Sequence, residues 1–289
     1  MERLLMPYIL TNPSNSEIKR AIEFNWYEFF KSWSKLDIEG NGYEENDEFF
    51  KFMSGVPYFR LNGVIDAQIQ PKIAKETVKE IVSSFRERRL PFIWILGPSS
   101  SPDNLREYIL NNELIFIIKP PGMAFNLNNL TEEKKEIPDL EIIKVEDGRT
   151  LEAYMDVGLT GLEWDKDTTW AFLKEVATSF YLKKDPKHSA FVAYYKGKPV
   201  AISKAFYGAG VVGMYRVATL EGARGKGIGT AISLTPLYEA KEKGYEIATL
   251  VSTEMGFNVY KRIGFDVYCD FEIFGWSPDS NEVFSVLIH

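Results

Sequence analysis

The stretch "TLEGARGKGIGTAI", residues 219–232, sets an arginine, a lysine and three alternating glycines between a strand-like run, "VVGMYRVAT" (211–219), and a helix-like run, "GTAISLTPLYEAKEKG" (229–244). The first turn of a helix leaves backbone N–H groups unpaired and carries positive partial charge, so it attracts an anion. Gly225, Gly227 and Gly229 permit positive φ and let a ligand approach the main chain closely. Arg224 and Lys226 add charge and donors, and Thr230 adds a hydroxyl. A strand must turn into a helix somehow, and glycines beside two surface cations suffice for that. Three glycines at alternate positions between Arg224 and Thr230 read further, as a cradle for a pyrophosphate. The spacing excludes a Walker loop, which needs Gly-x-x-x-x-Gly-Lys-Ser/Thr. It also fails the dinucleotide fingerprint, because the third glycine position counted from Gly225 falls on Thr230.

The rest of the chain bounds what surrounds this turn. Its 289 residues exceed the usual single-domain size of about 100–150, and its 45% hydrophobic and 26% charged content is that of a globular protein. A net charge of -7 argues against a sequence-independent nucleic-acid footprint. Cys269 is the single cysteine, which excludes an internal disulfide, and His188 and His289 alone leave little for a zinc site. The start, "MERLLMPYILTNPSNS", is broken by Pro7 and lacks a small-residue cleavage pattern, and no run approaches the roughly 18 apolar residues of a membrane span. The expectation is a cytoplasmic protein with no membrane and no nucleic-acid partner.

A charged tract with Pro138, "NLTEEKKEIPDLEI" (129–142), marks a seam, and the expected division is residues 1–136 and 137–289. In the first part, "SNSEIKRAIEFNWYEFFKSW" reads as a helix with an aromatic face, and Asn62-Gly63 in "VPYFRLNGVIDAQI" reads as the turn of a hairpin. A helix, "IAKETVKEIVSSFRERR", a buried strand, "LPFIWILGP", a short helix and a further strand, "ELIFIIKPP", follow. In the second part, one strand and two helices precede three strands in quick order, then the glycine turn, its helix, the strand "YEIATLVST", the short helix "GFNVYKRIG" and closing strands "FDVYCDFEIFGW" and "EVFSVLI". Meandering strands followed by a strand-helix-strand crossover predict a mixed α/β sheet.

At this point the chain resembles the GCN5-related N-acetyltransferase (GNAT) superfamily, whose Arg/Gln-x-x-Gly-x-Gly/Ala motif is met by Arg224, Gly225, Lys226, Gly227, Ile228 and Gly229. "VYKRIGF" (259–265) is similar to the family's Tyr-x-x-x-Gly-Phe. The resemblance covers roughly residues 140–289. It implies two tandem acetyltransferase-like domains, each with a central, mostly antiparallel sheet flanked by helices, and a splayed parallel strand pair in the C-terminal one. The first half, where "NGV", "RERRLPFIWILGPSSSP" and "PPGMAF" resemble the companion domain of tandem members, lacks Arg-x-x-Gly-x-Gly and is expected to be a degenerate copy that holds no coenzyme.

The resemblance further implies acetyl-CoA as co-substrate, its pyrophosphate on the turn, its pantetheine arm along Val217, Ala218 and Thr219, and Tyr260 as general acid beside the coenzyme sulfur. Acetyl transfer to a primary amine of a small molecule or peptide, by direct attack in a ternary complex, follows. A main-chain N–H near Val217 to Thr219 would serve the oxyanion if that strand splays, and a bulge is expected near Ala218. Where family members often carry asparagine, six positions before Tyr260, stands Glu254, with Ser252 as a weak substitute. Pro236 is expected to kink the cofactor helix without breaking it.

No general base is assigned: Glu163, Asp165, Glu254, Tyr215 or a relay of waters are the alternatives, and His188 reads as a loop residue. Glu163, Asp165 and Asp167 would favour a cationic acceptor if they bound the cleft. A non-catalytic acyl-CoA sensor and a nucleotide-dependent oxidoreductase are the competing readings, and monomer and homodimer are both open.

Overall fold

The computed structural model describes residues 8–131 and 136–279. Helix α1 (Asn15–Ser34) is followed by strands β1 (Gly42–Glu45) and β2 (Phe50–Met53), a 3-10 turn at Phe59–Leu61, strand β3 (Asn62–Ile65), helix α2 (Ala74–Glu87), strand β4 (Phe92–Leu96), helix α3 (Leu105–Asn111) and strands β5 (Ile115–Ile118) and β6 (Pro121–Asn126). The remainder runs through β7 (Leu140–Lys144), α4 (Gly148–Gly161), α5 (Lys166–Ala177), a π-helical turn at Thr178–Leu182, β8 (His188–Tyr195), β9 (Lys198–Gly208) and β10 (Val211–Thr219). It closes with α6 (Ile228–Glu242), β11 (Ile247–Val251), α7 (Glu254–Ile263), β12 (Asp266–Asp270) and β13 (Glu272–Trp276). The expected strand "EVFSVLI" lies outside the described residues.

These elements form two mixed sheets flanked by helices, one of order β1-β2-β3-β4-β13-β5 and one of order β12-β6-β11-β10-β9-β8-β7. Each is mostly antiparallel with a single parallel pair, β3 with β4 and β10 with β11. Each also takes one strand from the other side of residue 136. β6 inserts between β11 and β12, and β13 inserts between β4 and β5. The two crossings touch, the Phe271 N–H donating to the Pro120 carbonyl at 3.0 Å. Phe271 is fully buried and meets Trp26 of α1 edge-on at 4.8 Å.

Helix α1 lies between the sheets. Ser14 caps it, accepting from the Glu17 N–H while Glu17 reaches back to the cap, a reciprocal pair that satisfies two otherwise orphaned donors. Its apolar face joins one continuous core in which Ile22, Phe30 and Trp33 meet Phe52 of the first sheet and Val192 and Ile202 of the second. On the second sheet, Asn25 donates to the Gly208 carbonyl at 2.8 Å and accepts from the Tyr215 hydroxyl at 2.6 Å. Gly213 is required there, because a Cβ would overlap the Asn25 carbonyl oxygen.

The hairpin expected at Asn62-Gly63 is corrected: both residues lie inside β3, paired with β2 and β4. Asn62 is fully buried; its amide oxygen accepts from the Ser54 N–H at 2.9 Å and its nitrogen donates to the Val56, Tyr58 and Pro91 carbonyls. Gly63 lets β3 approach β4, since a Cβ would stand 2.6 Å from the Ile93 carbonyl oxygen. A dipeptide favoured in tight turns is used here for a tertiary anchor and a close strand approach. Helix α6 runs unbroken through Pro236, as expected. No helix among the described residues is long and apolar enough to cross a membrane.

A fragment beginning at residue 137 removes β6 and leaves edges of β11 and β12 bare. It is expected to show no cooperative thermal unfolding and to aggregate, whereas the whole chain unfolds in one transition by circular dichroism.

Candidate functional site

β10 and β11 pair at only two positions, Val212 with Ala248 and Gly213 with Thr249, and then part. Two residues later β10 bulges. Tyr215 stands opposite Lys204 and Ala218 opposite Ile202, so three steps on β10 match two on β9, and Arg216 takes a φ of 51°. The splay and the bulge near Ala218 are both as the sequence reading expected. Beyond Gly213, the edge of β10 that faces β11 has no strand partner among the described residues.

The glycine turn follows at the end of this strand. Gly225 has φ 75° and Gly227, the cap of α6, has φ 80°; among the described residues no side chain bonds to that helix start. The first intrahelical bond runs from the Ala231 N–H to the Gly227 carbonyl at 3.0 Å, so the N–H groups of Ile228, Gly229 and Thr230 belong to the unpaired first turn. The positive φ expected at Gly229 is corrected: it lies within the helix, and its Cβ, if present, would stand 3.3 Å from the Thr219 hydroxyl. Its smallness serves the contact between the helix start and β10.

A cavity of about 570 Å³ opens between the parted strands. Val217, Ala218 and Thr219 form one wall, Arg224, Gly225, Gly227, Gly229 and Thr230 the floor, and Tyr260 the opposite side. Three expected residues stand off it. Lys226 turns its ammonium to the Gly222 carbonyl at 2.7 Å, Ile228 is fully buried beneath the turn beside Ala223 and Ile232, and Ser252 is buried, its hydroxyl donating to the Thr253 carbonyl at 2.8 Å. Arg224 donates through Nε to the Thr219 carbonyl at 3.1 Å, tying the turn to the end of β10.

Sequence reasoning missed much of the remaining lining. Ser233, one turn into α6, and Thr253, Met255, Gly256, Val259 and Arg262 of the α7 segment carry a visible signal, being helical neighbours of motif residues. Thr160, Gly161 and Leu162, at the end of α4, and Arg60, from the first half of the chain, carry none.

Tyr260 is set by α7. Thr253 caps that helix, accepting from the Gly256 N–H at 3.3 Å, and Gly264 ends it at φ 117°. The ring leans back over Gly256, where a Cβ would stand 2.7 Å from Cε2, and Phe265 meets it edge-on at 5.8 Å. Burial pushes the phenol above its ordinary value of 10, so the hydroxyl keeps its proton throughout the neutral range.

The acid and base alternatives separate clearly. Glu163 lines the cavity. Asp165 is committed as the cap of α5, accepting from the N–H groups of Asp167 and Thr168 at 3.0 and 3.2 Å, and Asp167 is exposed in the first turn of that helix. Glu254 is exposed on α7, and Tyr215 gives its proton to Asn25 while stacking on Phe29 at 4.1 Å. His188 is not a loop residue; it opens β8, stacked on Phe180 at 3.7 Å, and burial followed by the Lys204, Arg216 and Lys187 charges holds it neutral. No group of three or more His, Cys, Asp or Glu gathers as metal ligands among the described residues.

The site thus combines parted parallel strands with a glycine-rich, uncapped helix start. Residues 158–265 match the model of the acetyltransferase (GNAT) family. No curated protein sequence matches the chain. Among solved structures it is similar to a GCN5-related N-acetyltransferase from Kribbella flavida, at 15% identity and TM-score 0.68, over 93% of this chain and 98% of that one. It is also similar to a tandem GNAT protein from the clavulanic acid biosynthesis pathway, at 10% identity and TM-score 0.59, over 95% and 99%. A third similar structure, a GCN5-related N-acetyltransferase from Sphaerobacter thermophilus, gives 14% identity and TM-score 0.59, over 94% and 96%. These likenesses span both halves and establish the fold.

Gly225→Ala and Gly227→Ala are each expected to cost about 1 kcal/mol in urea denaturation, because each forces a Cβ into positive φ. Gly229→Ala, at a helical φ, is expected to stay within about 0.5 kcal/mol of the parent.

Proposed function

We propose that this protein is an acetyl-CoA-dependent N-acetyltransferase acting on a primary amine of a small molecule or peptide. The observation that carries the reading is the uncapped start of α6, with two positive-φ glycines, at the mouth of the parted β10 and β11. Free N–H groups, the helix dipole and Arg224 suit a pyrophosphate, and the unpartnered edge of β10 suits an amide-bearing arm. Val217, Ala218, Thr219, the 224–230 turn and Tyr260 would hold the coenzyme, whose thioester supplies the activated acetyl group.

Three further needs fall to residues at hand, while the acceptor ammonium loses its proton to solvent before the free amine attacks. A main-chain N–H of the bulged segment faces the oxygen on which charge develops, a donor worth about 3–4 kcal/mol of barrier in comparable sites. The Tyr260 hydroxyl donates to the departing sulfur and surrenders its proton as thiolate charge forms beside it. Glu163 is the carboxylate at the cavity wall that can attract the acceptor ammonium. Residues 137–289 supply the coenzyme cradle, and residues 1–136, which contain no such turn, act as a companion half in this reading.

Calorimetry with acetyl-CoA is expected to give one site per chain, abolished by Gly227→Val; no uptake, or two sites, overturns the reading. Tyr260→Phe is expected to lower kcat about 100-fold with little change in the acetyl-CoA KM, measured by release of free thiol. Because the phenol is pushed up, the parent's kcat/KM should rise with pH as the acceptor loses its proton and show no decline from Tyr260 below about pH 10.

A further inference from the structure

On the sheet face opposite α6, beside the bulge, lies a set of buried polar groups that acetyl transfer as described does not use. Tyr154 and Tyr181 are almost wholly buried, their rings edge-to-face at 5.5 Å. Burial pushes the Tyr154 phenol upward, and the Arg216 guanidinium and the Tyr181 hydroxyl beside it oppose that shift. Yet neither hydroxyl completes a hydrogen bond of ordinary geometry, and neither does the buried Ser203 hydroxyl. Lys204 is also buried, its ammonium boxed by Phe180, Phe29 and Tyr181 at 4.5, 4.8 and 5.5 Å. Arg216 lies over the Trp164 ring at 5.1 Å.

This set is rich in donors and poor in acceptors. Among the described residues no carboxylate pairs with Lys204 or Arg216; the acid whose charge reaches Lys204 is Asp185, 3.8 Å from His188 Nε2. Burying cations without a counterion is costly, and rings offset only part of the cost. Buried hydroxyls without partners add to it. The set adjoins the cavity along the chain: half-buried Arg216 immediately precedes Val217, and Trp164 immediately follows Glu163, both Val217 and Glu163 being lining residues.

We propose that the acceptor is an amine that also carries an oxyanion, a carboxylate or phosphate, received by Arg216 with the Tyr154 and Tyr181 hydroxyls behind it. Its ammonium then faces the Glu163 side of the cavity and the bulge. This rests on the transfer reading but adds what that reading lacks, the chemical class of the acceptor.

The test uses the whole chain and amines matched in size: α-amino acids, their carboxamides, and phosphate-bearing amines. The free acid or phosphate is expected to exceed the amide about 100-fold in kcat/KM, and whichever anion wins fixes the source of the charge. Arg216→Asn, chosen because asparagine tolerates positive φ, is expected to collapse that ratio toward one through the acceptor KM, with calorimetric coenzyme A affinity retained. Arg216→Lys should keep part of the preference. Tyr181→Phe, which removes only the hydroxyl, should raise the KM of the anionic acceptor several-fold and guards against an Arg216 variant that fails to fold. Amides accepted as well as acids, or a ratio unmoved by both Arg216→Asn and Tyr181→Phe, overturns the proposal. Thermal shift with the amino acid alone keeps the two readings apart. Acid binding without coenzyme uptake defeats acetyl transfer; coenzyme uptake without acid discrimination defeats the anionic acceptor.

Discussion

Strand β11 is held from one side. It pairs with β6 at five positions, from Ile247 opposite Asn126 to Val251 opposite Gly122, but with β10 at only two. A central strand that parts from a neighbour leaves backbone groups without partners, which is tolerable only if the strand is fixed elsewhere or a ligand fills the gap. Here the fixing strand comes from the first half of the chain. β13 returns the exchange by pairing with both β4 and β5, and the crossing point is sealed by the Phe271–Pro120 hydrogen bond. The cleft between β10 and β11 is therefore a property of the whole chain, although every motif that announces it lies after residue 210.

Helix α1 adds a second tie of the same kind. Asn25 joins the Gly208 carbonyl to the Tyr215 hydroxyl, and Glu28 accepts from the Ala209 N–H at 3.1 Å. From the same stretch of the helix Glu23 accepts from the Ser99 N–H and hydroxyl at 3.0 and 2.8 Å, while Tyr27 donates to the same carboxylate at 3.0 Å. Desolvation pushes the Glu23 carboxyl upward and these donors oppose it. One helix thus reads the loop after β4 with one set of polar groups and the β9–β10 turn with another. Because Tyr215 begins the bulge, α1 also helps set where β10 departs from regular pairing.

What the sequence discloses follows from how local each signal is. The polar residues of "SNSEIKR" mark the start of α1 within a few residues, and Ser14 with Glu17 caps the helix there. The positive φ at Gly225 and Gly227 is equally local. Asn62-Gly63 misleads because its use is tertiary: the Asn62 partners include Pro91, and the Gly63 constraint comes from Ile93. β6 carries no strand reading because "PPGMAF" opens on a proline, and the strands that complete it, β11 and β12, follow more than 120 residues later. "FDVYCDFEIFGW" reads as closing strands, but nothing in its alternation says that its two strands enter different sheets. Arg60 reaches the cavity through the same long-range geometry, so no spacing rule finds it.

The glycine turn and the bulge also differ in how they hold positive charge. At the glycine turn the charge is carried by backbone dipoles and by Arg224, which lies at the surface and is accessible to salt. At the bulge it is carried by half-buried Arg216, where screening is weak, while burial and the Arg216 charge push the Lys204 ammonium, sealed under three rings, well below its ordinary range. Backbone donors suit a ligand common to a family, since they depend only on glycine and on where a helix starts. Buried side-chain cations depend on individual residues of β9, β10 and the helices above them. On the proposed reading, recognition of the coenzyme falls to main chain and recognition of the acceptor to side chain, and the bulge at Arg216 lies between the two.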